Sequence, residues 1–144
     1  LQIKYEKALC KWDHNNDNLF SGKRGLGLNK TGTSLAIGTI WNSSSNSGVS
    51  SDSNNIGSLT QALAVYLCTK SGSSWAKTSI LKAPNMGSSD QFGISVATDE
   101  TGAALVVGAG LESSNAEGVA GTGQTNIGAS SAGVVYVYWT LETS

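Results

Sequence analysis

Apolar and polar residues alternate in short runs along this chain, and stretches rich in Gly, Ser and Asn separate the runs. In FGISVAT (Phe92–Thr98), bulky residues alternate with Gly, Ser and Ala. This period of two indicates a β-strand with one bulky and one small face. Similar runs predict strands at Trp75–Lys82, Ala103–Ala109 and Ser131–Thr140. The spacing of an amphipathic helix does not recur over any long stretch, so the sequence predicts an all-β protein.

The same pattern occurs twice. GTSLAIGT (Gly32–Thr39) resembles GAALVVGA (Gly102–Ala109) at an offset of 70 residues, and this offset also relates Tyr66 to Tyr136. A fixed offset over this length indicates an internal structural repeat. Each copy is predicted to contain four strands. A small-residue face would let one sheet lie close to the next, as radially packed sheets require.

The repeat predicts how the chain is organised. Residues 1–144 would form a single all-β module, since this length corresponds to one ordinary domain. Residues 12–81 would form a degenerate first copy and residues 82–144 a second copy. Residues 1–11 would form a strand that is shared with another blade, meaning another four-stranded sheet of the same kind.

The second copy resembles a known repeat family. DQFGISVATDETGAALVVGA, preceded by GSSWAKTSILKAPN and followed by AGVVYVY, is similar to FG-GAP, or integrin-α-like, β-propeller repeats of the bacterial type. The first copy departs from this pattern, because Arg24 falls near the position of Ile94, where an apolar residue is expected. This predicts either a bulge or an irregular strand. The resemblance implies two antiparallel, four-stranded, propeller-type blades.

Two blades cannot close a ring, because propellers typically have about four to eight. Gln2–Cys10 aligns with the strand Trp75–Lys82, so it is a candidate partner for the last strand of another blade. We therefore expect self-association through edge strands, with a homotrimer giving six blades. The alternative is that the two blades are part of a larger propeller.

Composition narrows the possible partners and location. The net charge is −1 and only 13% of residues are charged, which argues against nucleic acid. No apolar run approaches the roughly 18 residues of a membrane span. Abundant small polar residues favour an extracellular or cell-surface protein. Cys10 and Cys68 are expected to be free or buried thiols rather than a disulfide, and with one His they do not suggest zinc.

One loop resembles a calcium site. In DHNNDNLFS, Asp13, Asn15 and Asp17 supply oxygen ligands at alternate positions. However, Asn18 replaces the usual Gly, and Arg24 stands where a bidentate Glu is needed. A polar turn is the favoured interpretation, and calcium is the minority one. No cofactor is otherwise expected. The loops at the family's metal position, LNKTGTSL and TDETGAAL, contain too few acids and are interpreted as hairpin turns.

The sequence favours binding over catalysis. No Ser-His-Asp arrangement is recognisable. Asp99 and Glu100 are neighbours in a turn, and Glu112 is expected to be solvated in a loop, so none is a good general acid or base. We therefore expect a protein that is not an enzyme.

Long loops interrupt both copies at the same point, which places them on one edge where repeat proteins often bind. They span Asn42–Asn55 and Glu112–Asn126. Trp41, Asn42, Glu112 and Asn115 are the candidate contacts for a protein or glycan ligand in adhesion or binding. The alternative function is a structural subunit, or a fragment of a larger propeller or filament, assembled by strand sharing.

Overall fold

The computed structural model describes residues 2, 23–42, 48–50, 62–87, 89–114 and 128–139. Its regular elements are eight β-strands: β1 (Lys23–Leu28), β2 (Ser34–Asn42), β3 (Gly48–Ser50), β4 (Ala62–Ser71), β5 (Ser74–Lys82), β6 (Phe92–Thr98), β7 (Ala104–Ala109) and β8 (Val134–Trp139). The predicted all-β class is confirmed. In the part of the chain that is described, no helix is long and apolar enough to cross a membrane.

The strands form two antiparallel sheets. The first has the order β1-β2-β4-β5-β3 and the second the order β6-β7-β8. Two antiparallel sheets were predicted, and within the described residues they contain five and three strands. Strand β5 pairs with β4 through a tight turn where Gly72 has a φ of +59°. The short strand β3 then adds to the outside of β5.

The predicted repeat is confirmed in the strand pairing. Ile37 lies opposite Tyr66 in the first sheet, and Val107 lies opposite Tyr136 in the second. Every β2–β4 pair from Ser34 to Thr39 has a β7–β8 counterpart at the same offset of 70 residues. Each residue of one sheet in this region thus has a structural equivalent in the other.

The irregularity predicted at Arg24 is a bulge. The register of β1 against β2 shifts between Lys23 and Leu26, and Arg24 is exposed. An extra residue in one strand of an antiparallel pair re-aims the side chain next to it. The second sheet has a corresponding shift between Phe92 and Ser95, so the bulge belongs to both repeats, and in the first it leaves Arg24 exposed.

The main core lies between the two sheets. Its buried members are Ala36, Leu63, Val65, Leu81, Ala83, Phe92, Leu105, Val107 and Ala109. The Phe92 ring meets the rings of Tyr136 and Tyr138 edge-on, with centroids 5.4 and 6.2 Å apart. Burying a large apolar side chain stabilises the fold by about 1.5–3 kcal/mol. The packing of these side chains is therefore the main interaction that holds the two sheets together.

Glycines allow β1 and β2 of the first sheet to approach β6 of the second sheet closely. A Cβ atom at Gly25 would lie 2.6 Å from Val96 Cγ2, and one at Gly38 would overlap the carbonyl oxygen of Gly93. The small-residue face that joins the sheets therefore belongs to the first copy. The small residues noted in the second copy, Ser95 and Ala97, are exposed.

The expectation of free thiols is wrong for Cys68. This residue is fully buried in β4 and disulfide-bonded. The other cysteine of the chain is Cys10, which lies outside the described residues.

Candidate functional site

The sequence-predicted site residues fall in different places. Trp41 and Asn42 form the end of β2, where the backbone of Asn42 pairs with Ala62 of β4. Glu112 follows β7. The remaining predicted residues, Asp13, Asn15, Asp17 and Asn115, lie outside the described residues.

Glu112 is buried, so the expectation of a solvated loop carboxylate is wrong. The residue is 3% exposed. Oε1 accepts a hydrogen bond from Asn85 Nδ2 at 2.8 Å, and Oε2 accepts bonds from the backbone N–H and the hydroxyl of Ser114 at 3.0 and 2.8 Å. A carboxylate can be buried when its lone pairs are occupied in this way. Glu112 therefore fixes the start of the loop that follows it.

The network around Glu112 joins three parts of the second repeat. The hydroxyl of Tyr136, on β8, donates to Asn85 Oδ1 at 2.6 Å. The backbone N–H of Gly133, just before β8, donates to the Glu112 carbonyl at 3.0 Å. Nearby, the Tyr138 hydroxyl donates to the Lys82 carbonyl at 3.1 Å. The segment after β5, the segment after β7 and strand β8 are thus held together by polar bonds.

Burial shifts the pKa values of several titratable groups in this region. It raises the pKa of Tyr136 to about 12, and the charge of Glu112 adds to that rise. Burial also raises the pKa of Tyr138 and of the Asp90 carboxyl, and Glu112 adds to the rise at Asp90 while a bond from the Gly87 N–H opposes it. Burial lowers the pKa of the Lys82 amine to about 8. Both tyrosines are therefore hydrogen-bond donors at neutral pH, as their contacts require.

Sequence reasoning identified Glu112 but missed its partners. Asn85 lies 27 residues from Glu112 and 51 from Tyr136. The available signal was the KAPN segment ahead of the Phe92 strand, together with the YVY run of β8. Neither shows by itself that the two segments meet.

The two turns at the family's metal position are hairpin turns, as predicted. Asn29 Oδ1 accepts bonds from the N–H groups of Thr33 and Ser34, both at 2.9 Å, and Asp99 Oδ1 accepts from Ala104 N at 3.1 Å. The bonds from Thr101 and Ala104 lower the pKa of the exposed Asp99 carboxyl. Among the described residues, no group of three or more His, Cys, Asp or Glu is placed to hold a metal ion.

These turns also contact each other. Asn29 Nδ2 donates to the Thr101 carbonyl at 3.1 Å, and Lys30 N donates to the Glu100 carbonyl at 3.1 Å. Lys30 Nζ lies 2.9 Å from Glu100 Oε1, in an exposed ion pair. Such surface pairs contribute at most about 1 kcal/mol, so the buried amide of Asn29 is the stronger link between the repeats.

One exposed surface is strongly apolar. Val106 of β7 and Val135, Val137 and Trp139 of β8 lie on the face of the second sheet that points away from the first, and we call them the outer face. Trp139 is 70% exposed and Val135 is 61% exposed. The equivalent of Val135 in the first sheet, Val65, is fully buried against the second sheet. A contiguous exposed apolar patch is a common mark of an interaction site.

Comparison with known proteins identifies one of the repeats. Residues 75–138 match the family model of the FG-GAP repeat. This part of the chain, from β5 to β8, is therefore similar to an FG-GAP repeat, and this similarity favours a β-propeller-like module. No curated protein and no solved structure matches the chain.

Proposed function

We propose that the chain is a non-enzymatic, β-propeller-type binding module that works outside the cytoplasm and associates with other protein chains. The observation that carries this proposal is the outer face. A soluble protein gains from covering such a surface, at roughly 25 cal/mol per Å² of apolar area. Its partner would be another β-sheet, because the equivalent face of the first sheet is covered by one.

Strand β8 supports association in a second way. Within the described residues it pairs on one side only, with β7. An edge strand is a template for a strand from another chain. Residues 1–11 of a second copy are our candidate for that strand, and three copies linked in this way would supply six blades.

Two further observations support the location and the lack of catalysis. The disulfide at Cys68 fits an oxidising compartment, since stable disulfides are rare in the cytosol. The carboxylates of Asp90, Asp99 and Glu112 each accept hydrogen bonds within the protein. These bonds give all three acids a role in holding turns and loops.

The test is the mass of the protein in solution over a range of concentrations. We expect light scattering after size-exclusion chromatography to show assemblies at multiples of the 14.8 kDa chain, with a trimer favoured. A chain that stays monomeric even at high concentration would remove the self-association part of the proposal.

A second candidate function is ligand binding at the loop edge. Strands β2 and β7 are equivalent in the repeat, and each leads into one of the two long connections, the first of which contains β3, so the connections begin on the same side of the module. We propose that Trp41, Asn42 and Asn115 contact a glycan there, and that Glu112 fixes the loop base. An indole presents a flat apolar surface that packs on sugar rings.

Replacing Trp41 with Ala tests this candidate. We expect Trp41→Ala to weaken binding on a glycan array by about tenfold or more, as removal of an aromatic anchor does at other interfaces. Trp41→Phe is the matched control, because it keeps a flat aromatic surface at the same position and should retain binding. Equal binding by both variants would contradict a ligand site at Trp41.

A further inference from the structure

The first sheet of another copy is not free to dock on the outer face. Among the described residues, the apolar side chains of β2, β4 and β5 that point away from the second sheet are largely buried. The fully buried ones are Ile37, Ala64, Tyr66, Cys68 and Ile80, and each is next along its strand to a residue that packs between the sheets. On that side, Leu26 and Leu28 of β1 are exposed. A second copy can therefore meet the outer face with its own outer face.

The sheet that carries the outer face is uncharged and is graded in size. Strands β6, β7 and β8 contain no Asp, Glu, Lys or Arg. Ser95 and Ala97 of β6 point to the same side as the outer face, because Val96 between them packs against the inter-sheet core. Residues paired across the sheet form two rows, which are Ser95, Gly108 and Val135, and Ala97, Val106 and Val137. Each row runs from a small residue on β6 to a bulky residue on β8.

The contact inside the chain shows how such surfaces fit together. Val96 of β6 lies over Gly25 of β1, where an added Cβ would be 2.6 Å from Val96 Cγ2. A bulky side chain on one sheet thus lies over a residue without a side chain on the other. Because protein interiors are packed almost without voids, a contact between two outer faces must also bring large residues over small ones.

We propose that two copies of this chain pair through their outer faces about a twofold axis parallel to β7. This rotation exchanges the positions of β6 and β8, so Val135 and Val137 of each copy lie over the small residues of β6 in the other. Val106 meets its own counterpart near the axis. The proposal rests on the proposed association with other chains and names the surface and the partner. It uses the face of β8, whereas the addition of a strand uses its edge.

A twofold axis across the strands would fit less well. It would place β8 over β8, so that bulky residues met bulky residues while Ser95 and Ala97 faced the small residues of the other copy. Packed sheets lie about 10 Å apart, and small side chains on both sides do not fill that distance. The arrangement parallel to β7 is also closed, because each copy uses the same surface and leaves no outer face free.

The size of the face sets the strength of this contact. Three strands about 4.8 Å apart and about six residues long, at about 3.3 Å per residue, give a sheet of roughly 15 by 20 Å. Two such faces bury roughly 600 Å², compared with about 1,200 Å² or more in a standard stable interface. We therefore expect a weak, reversible dimer whose population rises with concentration.

Charge placed in the outer face tests the docking surface. Val137→Glu and Ala97→Lys alter exposed residues at the two ends of one row. We expect each variant alone to raise the dissociation constant of the dimer at least about tenfold in sedimentation equilibrium, because burying an unpaired charge is unfavourable. Leu26→Glu is the matched control, since Leu26 is 61% exposed on the first sheet, and it should pair like the unmodified chain. Thermal melts confirm that each variant is folded.

Mixing the two variants tests the orientation. In a mixed dimer about the axis parallel to β7, the introduced lysine lies over the introduced glutamate, and the other row keeps Val137 over Ala97. An equimolar mixture should therefore pair at least about tenfold more tightly than either variant pairs with itself. Native mass spectrometry identifies the mixed dimer by its intermediate mass. If β8 lies over β8, the two introduced charges do not meet and mixing restores nothing.

Each contrary result has a distinct meaning. If the unmodified chain stays monomeric at high concentration, the proposed self-association fails and this dimer fails with it. If the chain associates and both outer-face variants associate equally well, the docking surface is wrong while self-association stands. If Leu26→Glu weakens pairing as much as Val137→Glu does, the first sheet takes part and the twofold contact is wrong.

Discussion

Replacing Gly38 with Ala is expected to destabilise the protein by more than about 3 kcal/mol, above the usual cost of an added methyl group in a core. The new Cβ would overlap the carbonyl oxygen of Gly93, which belongs to the backbone of β6. Backbone atoms cannot rotate away as a side chain can, so relief requires the two sheets to separate. Urea denaturation followed by tryptophan fluorescence measures the free energy of unfolding.

Gly108→Ala provides the matched control. Gly108 is the equivalent of Gly38 in the second sheet, and a Cβ there would meet the side-chain Oγ of Ser95. Because that hydroxyl can turn to another rotamer, the expected loss is below about 1 kcal/mol. Equal losses at Gly38 and Gly108 would show that the approach of Gly38 to Gly93 does not limit the packing of the two sheets.

Removing the Glu112 carboxylate is the second change with a large expected effect. Glu112→Ala removes an acceptor from Asn85 Nδ2 and from the N–H and hydroxyl of Ser114, in a region where Glu112 and Ser114 are buried. A buried donor that loses its partner costs about 1–3 kcal/mol, so we expect a loss of roughly 2–4 kcal/mol in urea denaturation. The Tyr136 pKa, followed by ultraviolet absorbance, should also fall from about 12, because the Glu112 charge contributes to its rise.

Glu100→Ala separates this effect from the loss of any carboxylate. The side-chain contact of Glu100 described above is an exposed ion pair with Lys30. Its removal should cost less than about 1 kcal/mol. Equal costs for the two alanine variants, with an unchanged Tyr136 pKa, would show that the Glu112 network does not stabilise the fold.

Local pattern predicted the strands and the repeat because both depend on neighbouring residues. The alternation in FGISVAT gave β6 with the bounds that the structure has, and the offset of 70 residues gave the matching strand pairs. A bulge or irregularity was predicted at Arg24 and is present, although the corresponding shift at Ile94 in β6 shows that it does not depend on the charge. In each case the residues that carry the signal also form the feature.

Features that join distant segments were not predictable in this way. A disulfide requires two Cα atoms within about 7 Å, and the spacing of two cysteines in a sequence does not show that distance. The burial of Glu112 depends on Asn85 and Tyr136, which come from other strands and connections. Alternation identifies a strand but does not determine which sheet it joins, so the five and three strands of the described sheets were not predictable from it.

The pairing of β5 has a consequence for where this protein can be divided. The matched family segment begins at Trp75, inside β5, yet β5 is hydrogen-bonded to β4 of the first sheet. The sequence repeat and the hydrogen-bonded sheet therefore begin at different strands. The matched segment includes β5, whereas the second sheet begins at β6. A fragment cut at the start of the matched segment would keep β5 but lose β4, so we expect it to expose the strand edge at which β5 is hydrogen-bonded.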